Sequence, residues 1–311
     1  MLLAREELAR YASGRPSAVT LGVFDGVHRG HRHLIAALEE RAREHALATT
    51  VVTLHPAPIQ VLRPQVRIAY LTSLEERLEL LRSTGVDAVA PLTFTSEVAE
   101  LSAHDFVAML YDTLQMRFLL MGPDNAFGRG REGTPERVRE IGAEMGFEVE
   151  VLEAPLTEAE GRVSATAIRN ALKDGEMELA ARLLGRPYAL RGPVVRGHER
   201  GKGIGFPTAN IAVTPDRALP AFGVYVSRAY VGDRAYLSAT NVGINPTFGD
   251  ERPSFETYLL DFEGDLYGRE LRVEVLHRVR GEIRSEGIDE LKAAIARDVE
   301  ATRAYFAERG D

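Results

Sequence analysis

Hydrophobic positions in the first 185 or so residues alternate between two textures. Short apolar runs predict strands, a buried one at Ala18 to Phe24 and others at Thr49 to Leu54, Val86 to Leu92, Arg117 to Gly122 and Phe147 to Leu152. Between them apolar residues fall at helical spacing, as in Leu34 to Ala46. Ser73, with Glu76 three residues on, predicts a capping box. Leu74, Leu78 and Leu81 form the stripe behind it, and Gly85 is the stop. Strands alternating with helices predict a parallel sheet covered on both faces. Right-handed crossovers and a ligand crevice at the carboxyl ends of the strands follow from that topology.

From about Gly192 the helical period disappears. GVYVSRAYV, RAYLSATNVG, SFETYLLDF and ELRVEVLHRV are rich in Val, Tyr and Thr and are separated by Gly and Pro, which predicts an antiparallel barrel or sandwich. Ile288, Leu291, Ile295, Val299 and Phe306 return to helical spacing and predict a C-terminal helix packed on the β domain. LLGRPYALRG, where helix gives way to strand, reads as the linker. The expected division is therefore residues 1–186 and 187–311, an α/β domain followed by a β domain.

Composition narrows this picture. The chain has 311 residues, and 45% are hydrophobic, enough for two ordinary cores. Without cysteine it has no disulfide framework, Cys-ligated zinc or thiol nucleophile. A net charge of −8 argues against a nucleic-acid binder. No apolar run approaches the ~20 residues of a membrane span. The first residues, amphipathic and containing acids, resemble neither a signal nor a transit peptide. A soluble, cytoplasmic protein is expected.

The densest chemistry lies in GVFDGVHRGH, residues 22 to 31. A strand ends in Gly22, Val23, Phe24, Asp25 and Gly26, and His28, Gly30 and His31 open a helix. Gly22, Gly26 and Gly30 let backbone approach a ligand closely. The amides of a helix start suit phosphate. Two histidines three residues apart share one side of the first turn and would stabilise charge developing on an α-phosphate. A surface loop with incidental histidines is the bland alternative. A metal site using His33 is another, weakened by the absence of further ligands nearby in sequence.

A second stretch, VSATAIR, places Ser164, Thr166 and Arg169 at a helix start, where hydroxyls and a guanidinium suit phosphate. Alone, Ser164 reads equally as an N-cap. A third, GPVVRGHERGKGIGFPTANI, is neither a Walker A loop nor a dinucleotide fingerprint. Gly201, Lys202, Gly203 and Gly205 would still form a loop that covers phosphates. Thr208 and Asn210, two apart on an extended segment, present oxygen ligands suited to Mg²⁺. Glu256, mid-strand in SFETYLLDF, offers a general base, although its period alone favours an exposed alternating face.

GVFDGVHRGH resembles the HxGH signature of nucleotidyltransferases. In its FDG form it is similar to the adenylyltransferase half of prokaryotic bifunctional riboflavin kinase/FAD synthetases. TLHPAPIQVL, TSLEERLELLRSTGVD, MGPDNAFGRGREG and VSATAIRNALKDGE follow in the family's order. GKGIGFPTAN, NVGINPTFG, FETYLLDF, DLYGRELRV and the Arg278, Arg280, Glu282 stretch resemble riboflavin kinases. The resemblance implies a Rossmann-like HxGH domain, then a kinase β-barrel with a C-terminal helix. It implies riboflavin, FMN, FAD and ATP as substrates and products, with Mg²⁺ and no nucleic-acid or membrane partner. On it, Glu256 is the kinase base, Thr208 and Asn210 hold Mg²⁺ and ATP phosphate, and His28, His31, Ser164 and Arg169 serve adenylyl transfer. Asp124 matches a polar position near flavin or nucleotide.

Three positions depart from the family pattern: Ala57 replaces a histidine, Ala165 a second serine, and Tyr258 a frequent histidine. His55, two residues before Ala57, is a candidate substitute for the missing histidine. The departures keep three alternatives open: a kinase with a weakened adenylyltransferase half, a flavin or nucleotide sensor without turnover, and an adenylyltransferase for another small phosphate.

Overall fold

The structure, a computed structural model, describes residues 2–152, 156–159, 161–197, 205–244, 253–283 and 287–310. It divides into two compact units, Met1–Ala165 and Thr166–Asp311.

The first unit runs α1 (Leu2–Ala9), β1 (Ser17–Gly22), α2 (Arg29–Glu44), β2 (Ala48–His55), α3 (Pro58–Leu62), α4 (Leu74–Arg82), β3 (Ala88–Thr93), α5 (Ser96–Ala99), α6 (Ala103–Leu114), β4 (Met116–Met121), α7 (Pro135–Met145), β5 (Glu148–Val151), and a small ribbon of β6 (Thr157–Glu158) and β7 (Gly161–Arg162). β1 to β5 form one parallel sheet in the order β3-β2-β1-β4-β5. Both faces are covered. Val19, Leu21, Val52 and Leu119 pack against α1, α6 and α7, while Ala18, Val51, Phe118 and Leu120 pack against α2 and α4. This two-sided burial explains the apolar runs. The chain leaves β1 toward β2 and β3, then returns to β4 on the other side of β1. The carboxyl end of β1 is thus the switch point, where a crevice opens. The capping box at Ser73 is present, with Ser73 N–H donating to Glu76 at 2.7 Å.

The second unit contains α8 (Ala165–Asp174), α9 (Met177–Leu184), β8 (Tyr188–Val195), β9 (Ala209–Ile211), β10 (Gly223–Val231), β11 (Arg234–Ile244), β12 (Pro253–Leu259), β13 (Glu270–Arg280) and α10 (Ile288–Ala307). Its six strands close an antiparallel barrel, β10-β11-β12-β9-β8-β13. Inside it, a chain of buried hydroxyls links Ser227 to Ser238 at 2.8 Å, Ser227 to Thr240 at 2.7 Å and Thr240 to Thr257 at 3.0 Å. The structural boundary falls earlier than the 186/187 division read from the sequence. α8 and α9 carry the helical texture of the first half but pack with the barrel. Ala221 N–H donates to Leu172 O at 2.8 Å, and His277 Nδ1 lies 2.6 Å from Glu178 Oε1.

α10 forms where expected, but its buried face differs from the predicted stripe. Ala294, Asp298, Thr302 and Phe306 face inward, and Ile288 is exposed. Asp298 is buried because Arg280 on β13 grips both its oxygens, at 2.8 and 2.6 Å. Among the described residues no helix is long and apolar enough to cross a membrane.

Candidate active sites

β1 delivers the chain to the switch point at Gly22, and a tight turn follows. Phe24 (φ 53°), Gly26 (φ 78°) and Val27 (φ 40°) are all left-handed. Such a turn is costly for Phe and Val and needs external bracing. Asp25 supplies it. Its buried carboxylate accepts from Leu71 N–H at 2.9 and 3.1 Å and from Thr72 N–H at 3.2 Å, while Gly26 N–H donates to Thr72 Oγ1 at 3.1 Å. Asp25 therefore contributes the shape of the turn.

The turn hands over to α2, whose N-cap is His28. His31 N–H donates to His28 Nδ1 at 3.3 Å, which orients that ring. The two imidazoles stack, with centroids 3.6 Å apart and planes 17° from parallel, and Phe24 meets His31 edge-on at 5.1 Å. Burial first, then the neighbouring His28 and Arg77, hold the His31 imidazole well below its usual pKa. Gly30 lets the Val163 carbonyl approach: a Cβ there would lie 3.1 Å from it and 3.2 Å from the His28 ring. That contact brings the start of VSATAIR to the histidines. Ser164, half-buried, is next in the chain; Thr166 and Arg169 belong to α8 in the second unit.

Beside β1 and β2 an apolar cavity of about 220 Å³ opens, walled by Leu21, Leu54, Ile59, Phe94, Phe106 and Phe127. His55 ends β2, its ring 5.5 Å from that of Tyr70, whose hydroxyl accepts from Ala57 N–H at 2.8 Å. Asp124 is exposed and paired with Arg162. Its neighbour Asn125 reaches back instead, donating to Leu21 O at 3.0 Å. His33 is exposed, and among the described residues no three His, Cys, Asp or Glu side chains gather as a metal site.

The second unit has its own polar cluster. Antiparallel pairing sets Asn241 on β11 opposite Glu256 on β12, and Glu256 opposite Asn210 on β9. Directly opposed residues share a face of the sheet. Thr208 Oγ1 donates to Glu256 Oε2 at 3.3 Å. Glu256 is half-buried on the side of β12 away from the buried residues Phe255 and Thr257, the face it shares with Asn210 and Asn241. The approach of Asn210 depends on Gly197, where a Cβ would lie 2.4 Å from Asn210 Nδ2. Next to Thr208 is a cavity of about 340 Å³, lined also by Pro207, Leu259, Phe262, Asp265 and Tyr267. Hydroxyl, amide and carboxylate oxygens fit Mg²⁺, which completes its shell with water and phosphate. Gly205 is left-handed and exposed; Gly201, Lys202 and Gly203 lie outside the described residues, as does the NPTFG of NVGINPTFG.

Two known families match the chain in series. The FAD synthetase family model matches residues 11–167, and the riboflavin kinase model matches 184–306. The bifunctional riboflavin kinase/FMN adenylyltransferase of Escherichia coli strain K12 is 39% identical over 290 residues, 93% of this chain and 92% of that protein. The chain belongs to the bifunctional riboflavin kinase/FMN adenylyltransferase family. Relatives of that name from Listeria monocytogenes and Bacillus subtilis are 37% and 34% identical, over 94% and 98% of this chain and 93% and 95% of theirs. A crystal structure described as a macrolide-efflux protein from Streptococcus pneumoniae shares the fold, with TM-score 0.86 and 32% identity over 96% of this chain and 97% of that one.

Within this family frame, sequence reading missed Arg77, Thr72 and Asn125, which shape the histidine site, and Gly197 and Asn241 beside Glu256. TSLEERLELLR shows Arg77 as one charge on an amphipathic helix, yet it is fully buried. Nothing local marks the others.

Proposed function

We propose that the chain phosphorylates riboflavin to FMN in its barrel and adenylylates FMN to FAD at its histidine site. The carrying observation is that the histidine turn and the Glu256 cluster sit on different compact units, each with a cavity of its own. On the barrel, Glu256 takes the proton from the terminal ribityl hydroxyl of riboflavin. That oxygen bonds to the γ-phosphorus of ATP, and ADP leaves. Thr208 Oγ1 holds the Glu256 carboxylate in place, and Thr208 and Asn210 would hold Mg²⁺, which neutralises phosphate charge when bound. Positioning and electrostatics account for most of the acceleration.

At the first site, an FMN phosphate oxygen attacks the α-phosphorus of ATP, and pyrophosphate leaves. The α2 amides, His28 and His31 stabilise the charge that develops, with Ser164, Thr166 and Arg169 serving the leaving phosphates. Gly22, Phe24, Gly26 and Gly30 shape the backbone that the nucleotide approaches. The apolar cavity beside Leu54 and Phe127 suits the flavin ring. The functional boundary lies near 186/187, and the enzyme works in the cytoplasm, where ATP is.

A second reading keeps the kinase but weakens adenylyl transfer. Ala57, in place of a histidine, is buried, with its N–H already taken by Tyr70. Chromatography of the products from riboflavin, ATP and Mg²⁺ decides between them. FMN followed by FAD supports the two-activity reading, and FMN alone supports the second.

A further inference from the structure

α4 presents Leu78 and Leu81 to the sheet, as its stripe predicts. One turn before Leu81, however, it buries a cation. Arg77 has no exposed surface. It lies directly behind the phosphate-facing turn. One terminal nitrogen is 3.9 Å from Asp25 Oδ1, another donates to Leu54 O at 3.3 Å at the end of β2, and the guanidinium carbon is 5.3 Å from the Tyr70 ring centre. A fully buried guanidinium is expensive to desolvate, and no substrate can reach it.

We propose that Arg77 is a positioning residue for adenylyl transfer, a buried cation that braces the Asp25 turn leading into the His28–His31 stack. The inference rests on the adenylyl-transfer reading of that site. Two mechanisms converge. Asp25 holds three left-handed residues in place through Leu71 and Thr72, and Arg77 compensates the charge that Asp25 carries into the interior. The same cation opposes a proton on the neighbouring imidazole. Burial lowers the His31 pKa most, and the charges of His28, stacked on it, and of Arg77 on α4 lower it further. Asp25 is the acid of this group, and its carboxylate is already engaged by backbone donors. Stacked at 3.6 Å, two imidazolium rings would repel strongly. Burial above all, with His28 and then Arg77 in support, disfavours a proton on His31, which leaves it available as a neutral donor.

The sign is fixed. Removing a positive neighbour raises the pKa of a base, so Arg77→Met moves the His31 midpoint upward toward 6.5. The acid limb of kcat/KM for FAD formation from FMN and ATP moves with it, since that limb reports the free enzyme. A shift of half a unit lowers activity on the acid limb by about threefold. Arg77→Lys keeps the charge and stays near wild type. The test follows His31 by NMR pH titration on the full chain, with the pH profile of FAD formation beside it and FMN formation by the barrel as the internal control. A folded Arg77→Met protein whose midpoint and profile coincide with wild type overturns the proposal. So does an Arg77→Lys protein displaced as far as Arg77→Met. Should Arg77→Met not fold, Arg77→Gln takes its place: a His31 midpoint that rises in Arg77→Gln but not in Arg77→Lys supports the role, and equal midpoints in the two overturn it. A wild type that makes no FAD at any pH defeats the reading of the site instead, and the His31 titration still judges Arg77.

Discussion

The His28 ring lies almost flat on the His31 ring, 3.6 Å away, because the His31 amide donates to His28 Nδ1 across the first turn of α2. That bond fixes the His28 ring, and Phe24 meets the His31 ring edge-on from the turn before it. The arrangement leaves both imidazoles at the switch-point end of β1, where phosphate would meet the helix amides.

The stack and the Glu256 cluster are expected to fail independently. His28→Ala or His31→Ala should lower FAD formation from supplied FMN by about 10²-fold or more, the usual cost of losing a preorganised donor. FMN formation should persist. Glu256→Gln should show the reverse. Assays of the two half-reactions on each variant check this, and loss of both activities from a folded variant would refute the two-site assignment.

Gly30 tests how finely the stack is placed. A Cβ there would press on the Val163 carbonyl and the His28 ring at 3.1 and 3.2 Å. Neither contact is a clash that prevents folding, but one side must yield by a few tenths of an ångström. Gly30→Ala should therefore reduce FAD formation by about tenfold with little change in melting temperature, because small misplacement is costly in catalysis. Thermal melting and the FMN-to-FAD rate, measured together, separate this from simple destabilisation.

The fold was largely legible because β1, β2 and β4 of the first unit are buried on both faces and β8 and β12 of the barrel on one. Burial of that kind writes its period directly into the sequence. What stayed hidden depends on tertiary pairing. Arg77 looks like a solvent charge, since pattern reading sends charges outward, and its burial is explained by tertiary partners that include Asp25, Leu54 and Tyr70. Asp298 breaks the apolar stripe of α10 for the same reason, through Arg280. Glu256 alternates as any exposed residue would. Its neighbours come from two other stretches of chain, Thr208 and Asn210 from one and Asn241 from another, and meet it only in the folded barrel.

Gly197 is the corresponding probe of the barrel. A Cβ at this position would lie 2.4 Å from Asn210 Nδ2 and 2.6 Å from its Cγ, too close for both to stay. The Asn210 amide is the more mobile partner, so Gly197→Ala should turn it away from Glu256. FMN formation is expected to fall about tenfold or more, with a steeper Mg²⁺ requirement, while FAD formation from FMN is unchanged. Mg²⁺ titrations of both reactions test this; an unaltered kinase would show that Asn210 serves only the fold.

Arg280 and Asp298 make a different kind of prediction, about stability. Asp298 is almost fully buried and both its oxygens are held by Arg280. Arg280→Ala removes the partner and leaves a buried carboxylate. The expected loss is about 2–4 kcal/mol, at the lower part of the range for breaking a buried pair because Arg280 is partly exposed. Denaturant unfolding measures it. Adding Asp298→Asn should recover part of the loss, because the uncompensated charge, and not the missing contact alone, causes most of it.

His55 has the most to say about the departures from the family pattern. It ends β2 at the same edge of the sheet as the histidine stack, and its carbonyl accepts from Phe94 N–H at 3.0 Å, which fixes its backbone. Ala57, two residues on, is sealed by the Tyr70 hydroxyl and offers no polar group. If adenylyl transfer needs an imidazole from this segment, His55 is the residue that supplies it. His55→Ala should then lower kcat/KM for FAD formation by about tenfold or more and leave FMN formation unchanged. Ala57→His in the same background should restore part of the loss. A His55→Ala enzyme with wild-type FAD formation would show that the segment works without a histidine, and that the His28–His31 pair and the α2 amides suffice for the α-phosphate.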